Sequence, residues 1–107
     1  MRVIARSTLL RFVASLAGHR DQPAVKAALD AWFDEVSKAE WKTTADIKRR
    51  YVTASIVTSE RIVFNIKGND YRLVVSVNFN AATVWIKWLG THKAYDKIDV
   101  TKVQHDK

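Results

Sequence analysis

Apolar positions change period partway along the chain. From Ser7 the sequence sets Leu9, Phe12, Val13 and Leu16 at helical spacing, and Gly18 stands where that helix would end. A second helix is predicted from Asp21 and Pro23, with Val25, Ala28, Leu29, Trp32, Phe33 and Val36 on one stripe. The intervening GHRDQ is short enough to set the two antiparallel, as a hairpin. A short strand at Arg2 to Ala5 precedes them. Residues 40–51 carry a weaker pattern and read as a connector, in which Thr44 caps a turn or two bearing Asp46, Lys48, Arg49 and Arg50.

From Arg61 to Thr91 alternation replaces the helical period, predicting strands at Arg61 to Lys67, Tyr71 to Phe79 and Thr83 to Leu89. In FNIKGNDYRLVVSVNF, residues 64–79, Gly68-Asn69 is a two-residue hairpin signal. It pairs Ile66 with Tyr71, Phe64 with Leu73 and Ile62 with Val75. A slip of one residue would set Arg72 against Ile66 on the apolar face. Arg72 therefore belongs to the other face, opposite Asn65, as Arg61 lies opposite Ser76. For the next hairpin, a turn through Asn80 to Thr83 predicts Phe79 with Val84, Val77 with Ile86, Val75 with Trp88 and Arg72 with Thr91. His92 then emerges at the strand's end, near Arg72. The expected architecture is α+β: an N-terminal helical hairpin packed on one face of an antiparallel sheet of three to four strands, in a single domain over residues 1–107.

The second sheet face then collects Arg61, Asn65, Lys67, Arg72, Ser76 and Lys87 around His92. Trp85 alternates onto it too, where an aromatic plane can stack on an unpaired base. A merely solvent-exposed face would be polar as well. Charge sharpens the picture. With 18 Lys+Arg against 11 Asp+Glu, a net +7, an anionic partner is expected, nucleic acid or an acidic protein. Hydrophobic residues at 48% and charged ones at 27% are ordinary for a folded globular chain.

The absence of cysteine removes disulfides, thiol nucleophiles and cysteine metal clusters, and permits a reducing interior, so a cytoplasmic location is expected. Arg6 and Arg11 interrupt the apolar stretch of MRVIARSTLLRFVASLAG, which reads as folded structure rather than a leader. No run approaches the ~20 apolar residues of a membrane span. Phosphate-loop, dinucleotide, zinc-protease and nucleophile-elbow motifs are missing. His19, His92 and His105 are scattered, and Asp70, Asp96 and Asp99 have no clear partner, so neither a metal nor a cofactor is expected.

Metal-free RNA cleavage uses the ribose 2′-hydroxyl as nucleophile and needs a base, cations for the phosphate and an acid for the leaving oxygen. Histidine is the side chain suited to proton transfer at neutral pH, so His92 can serve there, Arg72 can donate bidentately to phosphate, and Lys67 can add charge beside it. Tyr95, three residues after His92, can stack on a base or donate a proton. Lys93 and the run Lys48-Arg49-Arg50 can grip phosphates, although such runs are more often solvated faces. A lone histidine at a strand end is more often structural.

RIVFNIKGNDYRLVVSVNF followed by WLGTHKAYDKID resembles the HigB toxins of type II toxin-antitoxin systems, a branch of the RelE-like superfamily. The specific part runs from Arg61 to Asp99, in the patterns F-N-x-x-G-N-x-x-R-L and T-H-x-x-Y-D. The resemblance implies the compact RelE-like fold and a ribosome-dependent, metal-independent endoribonuclease cleaving translated messenger RNA, held in check by a HigA-type helix-turn-helix antitoxin. Residue by residue, the family's functional arginine falls on Arg72 and its histidine on His92, with Tyr95 and Asp96 completing that segment. The lysine-rich strand of RelE is represented by Asn65 and Lys67. The alternatives are a non-catalytic RNA- or ribosome-binding module and a domain that recognises an acidic protein.

Overall fold

The computed structural model describes residues 1–103, so His105 lies outside the described residues. Its elements run β1 (Arg2–Ile4), α1 (Arg6–Ser15), α2 (Gln22–Lys38), α3 (Thr44–Arg50), β2 (Ser55–Ile56), β3 (Arg61–Ile66), β4 (Tyr71–Asn78), β5 (Thr83–Thr91) and α4 (His92–Tyr95). The five strands form one sheet in the order β1-β5-β4-β3-β2. An α+β architecture is therefore observed, with α1 to α3 inserted between the edge strand β1 and the run β2 to β5. The expectation of an antiparallel sheet of three to four strands is corrected: the described residues form five strands, and β1 runs parallel to β5, Arg2 opposite Thr83 and Ile4 opposite Trp85. That pairing joins segments some eighty residues apart, beyond the reach of local turn signals.

The second helix forms as its stripe dictates. Proline enters at its first turn, where the missing N–H is not needed, and Val25, Leu29, Trp32 and Val36 are buried against the sheet. The first helix buries only Leu9 fully and starts two residues earlier than a cap at Ser7 would place it, with Ala5 at its N-cap. The stretch read as a connector instead supplies α3, which buries Ile47 completely. Its start is stabilised by the Asp46 carboxylate, which accepts the backbone N–H groups of Lys42 at 2.8 Å and Thr43 at 3.1 Å. The cap is Thr43, not Thr44. The helical layer is thus α1 and α2 with a third short helix, rather than the two helices expected.

The β3–β4 register is the predicted one throughout: Ile66 faces Tyr71, Asn65 faces Arg72, Phe64 faces Leu73 and Arg61 faces Ser76. Gly68 accommodates the turn at φ 63°, a left-handed conformation that costs glycine nothing. The β4–β5 register differs from expectation. Asn78 accepts the Ala81 N–H through its side chain at 3.0 Å, so the turn begins one residue earlier and Asn78, not Phe79, closes the ladder opposite Thr83. Val77 therefore meets Val84, and Val75 meets Ile86. A bulge then leaves Lys87 unpaired, so Val74 faces Trp88 and Arg72 faces Gly90 instead of Thr91.

The extra residue has a large effect. It moves Trp88 from the inner face, where strict alternation would put it, to the outer face beside Val74 and Val63. That outer face is not open from end to end. Val63 and Val74 are 2% and 0% exposed yet stand apart from the core under the helices. The chain after β5 doubles back over them: the Tyr95 ring packs 6.2 Å from that of Trp88, and Arg61 Nη1 donates to the carbonyl of Val103 at 2.8 Å. A second apolar layer thus covers part of the surface that the alternation alone leaves bare.

Candidate active site at the hairpin turn

The turn between β3 and β4 gathers the chemistry. The Arg72 guanidinium donates through Nη1 to the Asn69 carbonyl at 2.9 Å and the Tyr71 carbonyl at 3.3 Å, and through Nη2 to Asn69 Oδ1 at 3.1 Å. None of these bonds uses its Nε–H. The guanidinium carbon lies 5.8 Å from the centre of the Tyr95 ring, in cation–π range. Stacked on Tyr95 and pinned by Asn69, the side chain is held in one place before any ligand arrives.

The segment Thr91 to Asp96 is a single helical turn. Thr91 Oγ1 accepts the Ala94 N–H at 3.1 Å and caps it, which explains the spacing of T-H-x-x-Y-D. Residues three and four apart share a side of a helix, so His92 is brought near Asp96, with Nε2 3.8 Å from Oδ2. The His92 N–H donates to the Asp70 carbonyl at 2.9 Å, fastening this turn to the β3–β4 hairpin. Arg72 and His92 therefore border the same turn, at Asn69 and Asp70.

Gly90, opposite Arg72, is set by this arrangement. A Cβ there would stand 2.6 Å from Trp88 Cη2 and 2.7 Å from Cζ2, so glycine lets the indole lie across the strand and support Tyr95. Gly90→Ala should displace Trp88 and lower stability by roughly 1–3 kcal/mol, the usual cost of overpacking. Urea denaturation measures it, and tryptophan fluorescence should shift with it.

Lys67 departs from its expected place. With φ at 52° it leaves the strand alternation, and its ammonium donates to Asp70 Oδ2 at 2.8 Å and lies 3.7 Å from Asp21 Oδ1, toward the helical layer rather than among the outer-face cations. The hydrogen bond from Lys67 lowers the Asp70 pKa, and the bond to Asp70, with Asp21 beside it, raises that of Lys67. The Asp70 contribution is present above its unfolded value near pH ~4 and is lost as pH falls through the lower folded value. The Lys67 contribution is lost only as pH rises through a value above ~10. Asp70→Asn should therefore melt below the wild type by a constant margin from about pH 5 to 9, and the margin should close in acid; a calorimetric pH series checks this.

A cavity of about 440 Å³ opens at the same turn, lined by His19, Asp21, Asp70, Tyr71, His92 and Lys93 with Asn69 and Thr91. His19 and Asp21 were not among the candidate site residues of the sequence, and Asp96, which completes the T-H-x-x-Y-D segment but was read as lacking a clear partner, has His92 beside it. The i, i+4 spacing of His92 and Asp96 was there to be read; the approach of His19 depends on how the α1–α2 loop packs. Tyr71 is buried, and its hydroxyl donates to Asp21 Oδ2 at 3.1 Å. Burial, and secondarily the Asp21 carboxylate, pushes its pKa up.

Other predicted contacts lie elsewhere. Asn65 is half-buried beside Arg72 across the ladder. Trp85 lines a separate cavity of about 460 Å³ with Ser59, Glu60, Ser76, Asn78 and Asn80, toward the β4–β5 turn. Arg61 is engaged with Val103, and Lys87 is the half-buried residue of the bulge. On α3 each cation has an internal partner. Lys48 Nζ donates to the carbonyls of Val52 at 2.6 Å and Ala54 at 2.5 Å, Arg49 pairs with Asp46, and Arg50 pairs with Glu35 while lying 5.2 Å from the Tyr51 ring. Among the described residues no group of three or more His, Asp or Glu side chains could hold a metal ion, and no helix is long and apolar enough to cross a membrane.

This fold, with a guanidinium, an imidazole and a tyrosine gathered at one turn, defines a small α+β protein with a charged, polar hairpin turn. Residues 25–98 match the family model described as HigB_toxin, RelE-like toxic component of a toxin-antitoxin system. The chain belongs to that family and is the toxin component of a toxin-antitoxin system, a role that implies an antitoxin as partner. No curated protein matches it.

Proposed function

We propose that the toxin is a ribosome-dependent endoribonuclease that cuts translated messenger RNA without a metal ion. The observation that carries the reading is the meeting of Arg72, His92 and Tyr95 at one turn within the segment matched to the toxin family. His92 takes the proton of the ribose 2′-hydroxyl, with Asp96 beside it as a countercharge. The 2′-oxygen bonds to phosphorus, the bond from phosphorus to the 5′-oxygen breaks, and that oxygen takes a proton from the Tyr95 hydroxyl. The products are a 2′,3′-cyclic phosphate and a 5′-hydroxyl. Arg72, its Nε–H uncommitted, donates to the non-bridging oxygens as charge develops on them.

Lys93 adds positive charge at the cavity wall, and Asn65 positions the strand of RNA beside Arg72. Lys67 acts one step back, bracing the turn through Asp70 and Asp21. The Trp85 cavity offers a stacking plane for a base of the same message. The antitoxin is proposed to be of the helix-turn-helix HigA type, and the site of action the cytoplasm.

Controlled expression tests the reading. The wild type should arrest growth and produce new messenger RNA ends, and Arg72→Ala should lower cleavage by about 10²-fold, the effect of removing one transition-state donor, while remaining folded. Ribosome binding with intact message would instead favour a non-catalytic module, and neither effect would favour an acidic protein as target.

A further inference from the structure

His19 sits in a loop between two helices, far in sequence from the toxin motifs, yet it lines the same cavity as His92. Its orientation is fixed. The Asp21 N–H donates to His19 Nδ1 at 3.0 Å, which occupies that lone pair and leaves the proton of the neutral imidazole on Nε2. Asp21 is itself held by the Tyr71 hydroxyl at 3.1 Å, and Tyr71 is the strand neighbour of Arg72. The loop bearing His19 is thereby braced to the start of β4 on the face toward the helices, beside the Asp70 carbonyl that holds the His92 N–H.

We propose that His19 is a second imidazole of the site, donating its Nε2–H to a non-bridging oxygen of an RNA phosphate that His92 serves across the cavity both rings line. This rests on the ribonuclease reading above. His19 transfers no proton: its Nδ1 lone pair is occupied by the Asp21 N–H, so Nε2–H serves as a hydrogen-bond donor and the proton movements stay with His92 and Tyr95. Charge permits an anion here. Asp21 and Asp70 line the cavity, but Lys67 bridges the two and Lys93 stands in the wall, so two carboxylates face two ammonium groups.

Two measurements test the contact. In cleavage of message on programmed ribosomes, His19→Ala should lose roughly 10²-fold in rate, as for other single donors. His19→Gln, whose side-chain amide replaces the donor, should stay within about tenfold of wild type with an unchanged pH–rate profile, because no proton passes through this position. His19→Ala at the wild-type rate, or a His19→Gln variant with an altered pH profile, would overturn the proposal. The second measurement needs no cleavage. Long-range ¹H–¹⁵N spectra of histidine-labelled protein should show His19 as the Nε2–H tautomer, and a 2′-O-methyl trinucleotide should shift His19 and His92 along one saturation curve. A trinucleotide that moves His92 alone, or neither ring, would overturn the contact. Both rings moving without any message cleavage would support the contact while sinking the nuclease reading.

Discussion

His92→Ala should lower message cleavage by roughly 10²–10⁴-fold, the contribution of a positioned general base. The loss should fall on the chemical step, because the guanidinium of Arg72 keeps its bonds to Asn69 whether or not the imidazole is present. Stability should hardly move. The imidazole is half-exposed, its ion pair with Asp96 spans 3.8 Å at the surface, and the bond that fastens this turn to Asp70 comes from the backbone. Single-turnover cleavage of a labelled message gives the rate, and a urea titration of the same preparation should return the wild-type midpoint. A variant that loses activity and stability together would assign His92 a structural role.

Phe64→Ala should produce the largest loss of stability, about 3–5 kcal/mol. Phe64 is 1% exposed at the centre of the inner face, where its ring meets Trp32 at 5.5 Å, Tyr51 at 5.0 Å and Trp41 at 6.4 Å. These aromatics come from α2, the end of α3 and the segment between them, so one truncation removes contacts that join the helical layer to the sheet. Against a total of about 5–15 kcal/mol for a chain of this size, the variant should unfold at a much lower urea concentration. Equilibrium denaturation followed by tryptophan fluorescence measures it. A loss below 1 kcal/mol would show that the aromatic cluster is not what couples the two layers.

Local signals predicted the parts of this fold that are set by local physics. The Gly68-Asn69 turn and the alternation around Arg72 were enough to specify the β3–β4 register pair by pair, because any slip buries a charge. They were not enough for β4–β5. There the Asn78 side chain starts the turn early and a bulge at Lys87 turns Trp88 outward, and a bulge leaves no periodic trace in a strand rich in aromatic residues. The parallel partner of β1 and the two-residue β2 were illegible for a related reason: both are stabilised by long-range pairing rather than by their own few residues.

Legibility of the candidate site follows the same division. Arg72, His92 and Tyr95 lie in compact segments with motif spacing, and the fold sets them around one turn. Lys67 was misplaced because a positive φ breaks the alternation that assigned it to the outer face. The cations of α3 could be read in sequence as a phosphate grip or, more often, a solvated face, and each is engaged by a carboxylate or by backbone carbonyls of its own chain. His19 could not be found by pattern at all, since only the packing of the α1–α2 loop against the hairpin brings it to His92.

The central claim is that the groups at this turn activate a ribose hydroxyl of the message. It is tested most directly by presenting purified toxin with programmed ribosomes carrying either an all-ribose message or one with a single 2′-deoxynucleotide before the scissile phosphate. Cleavage of the ribose message to a 2′,3′-cyclic phosphate, with the deoxy-substituted message left intact at that position, is the predicted result. Equal cutting of both messages would contradict the account, as would translation arrest with neither message broken.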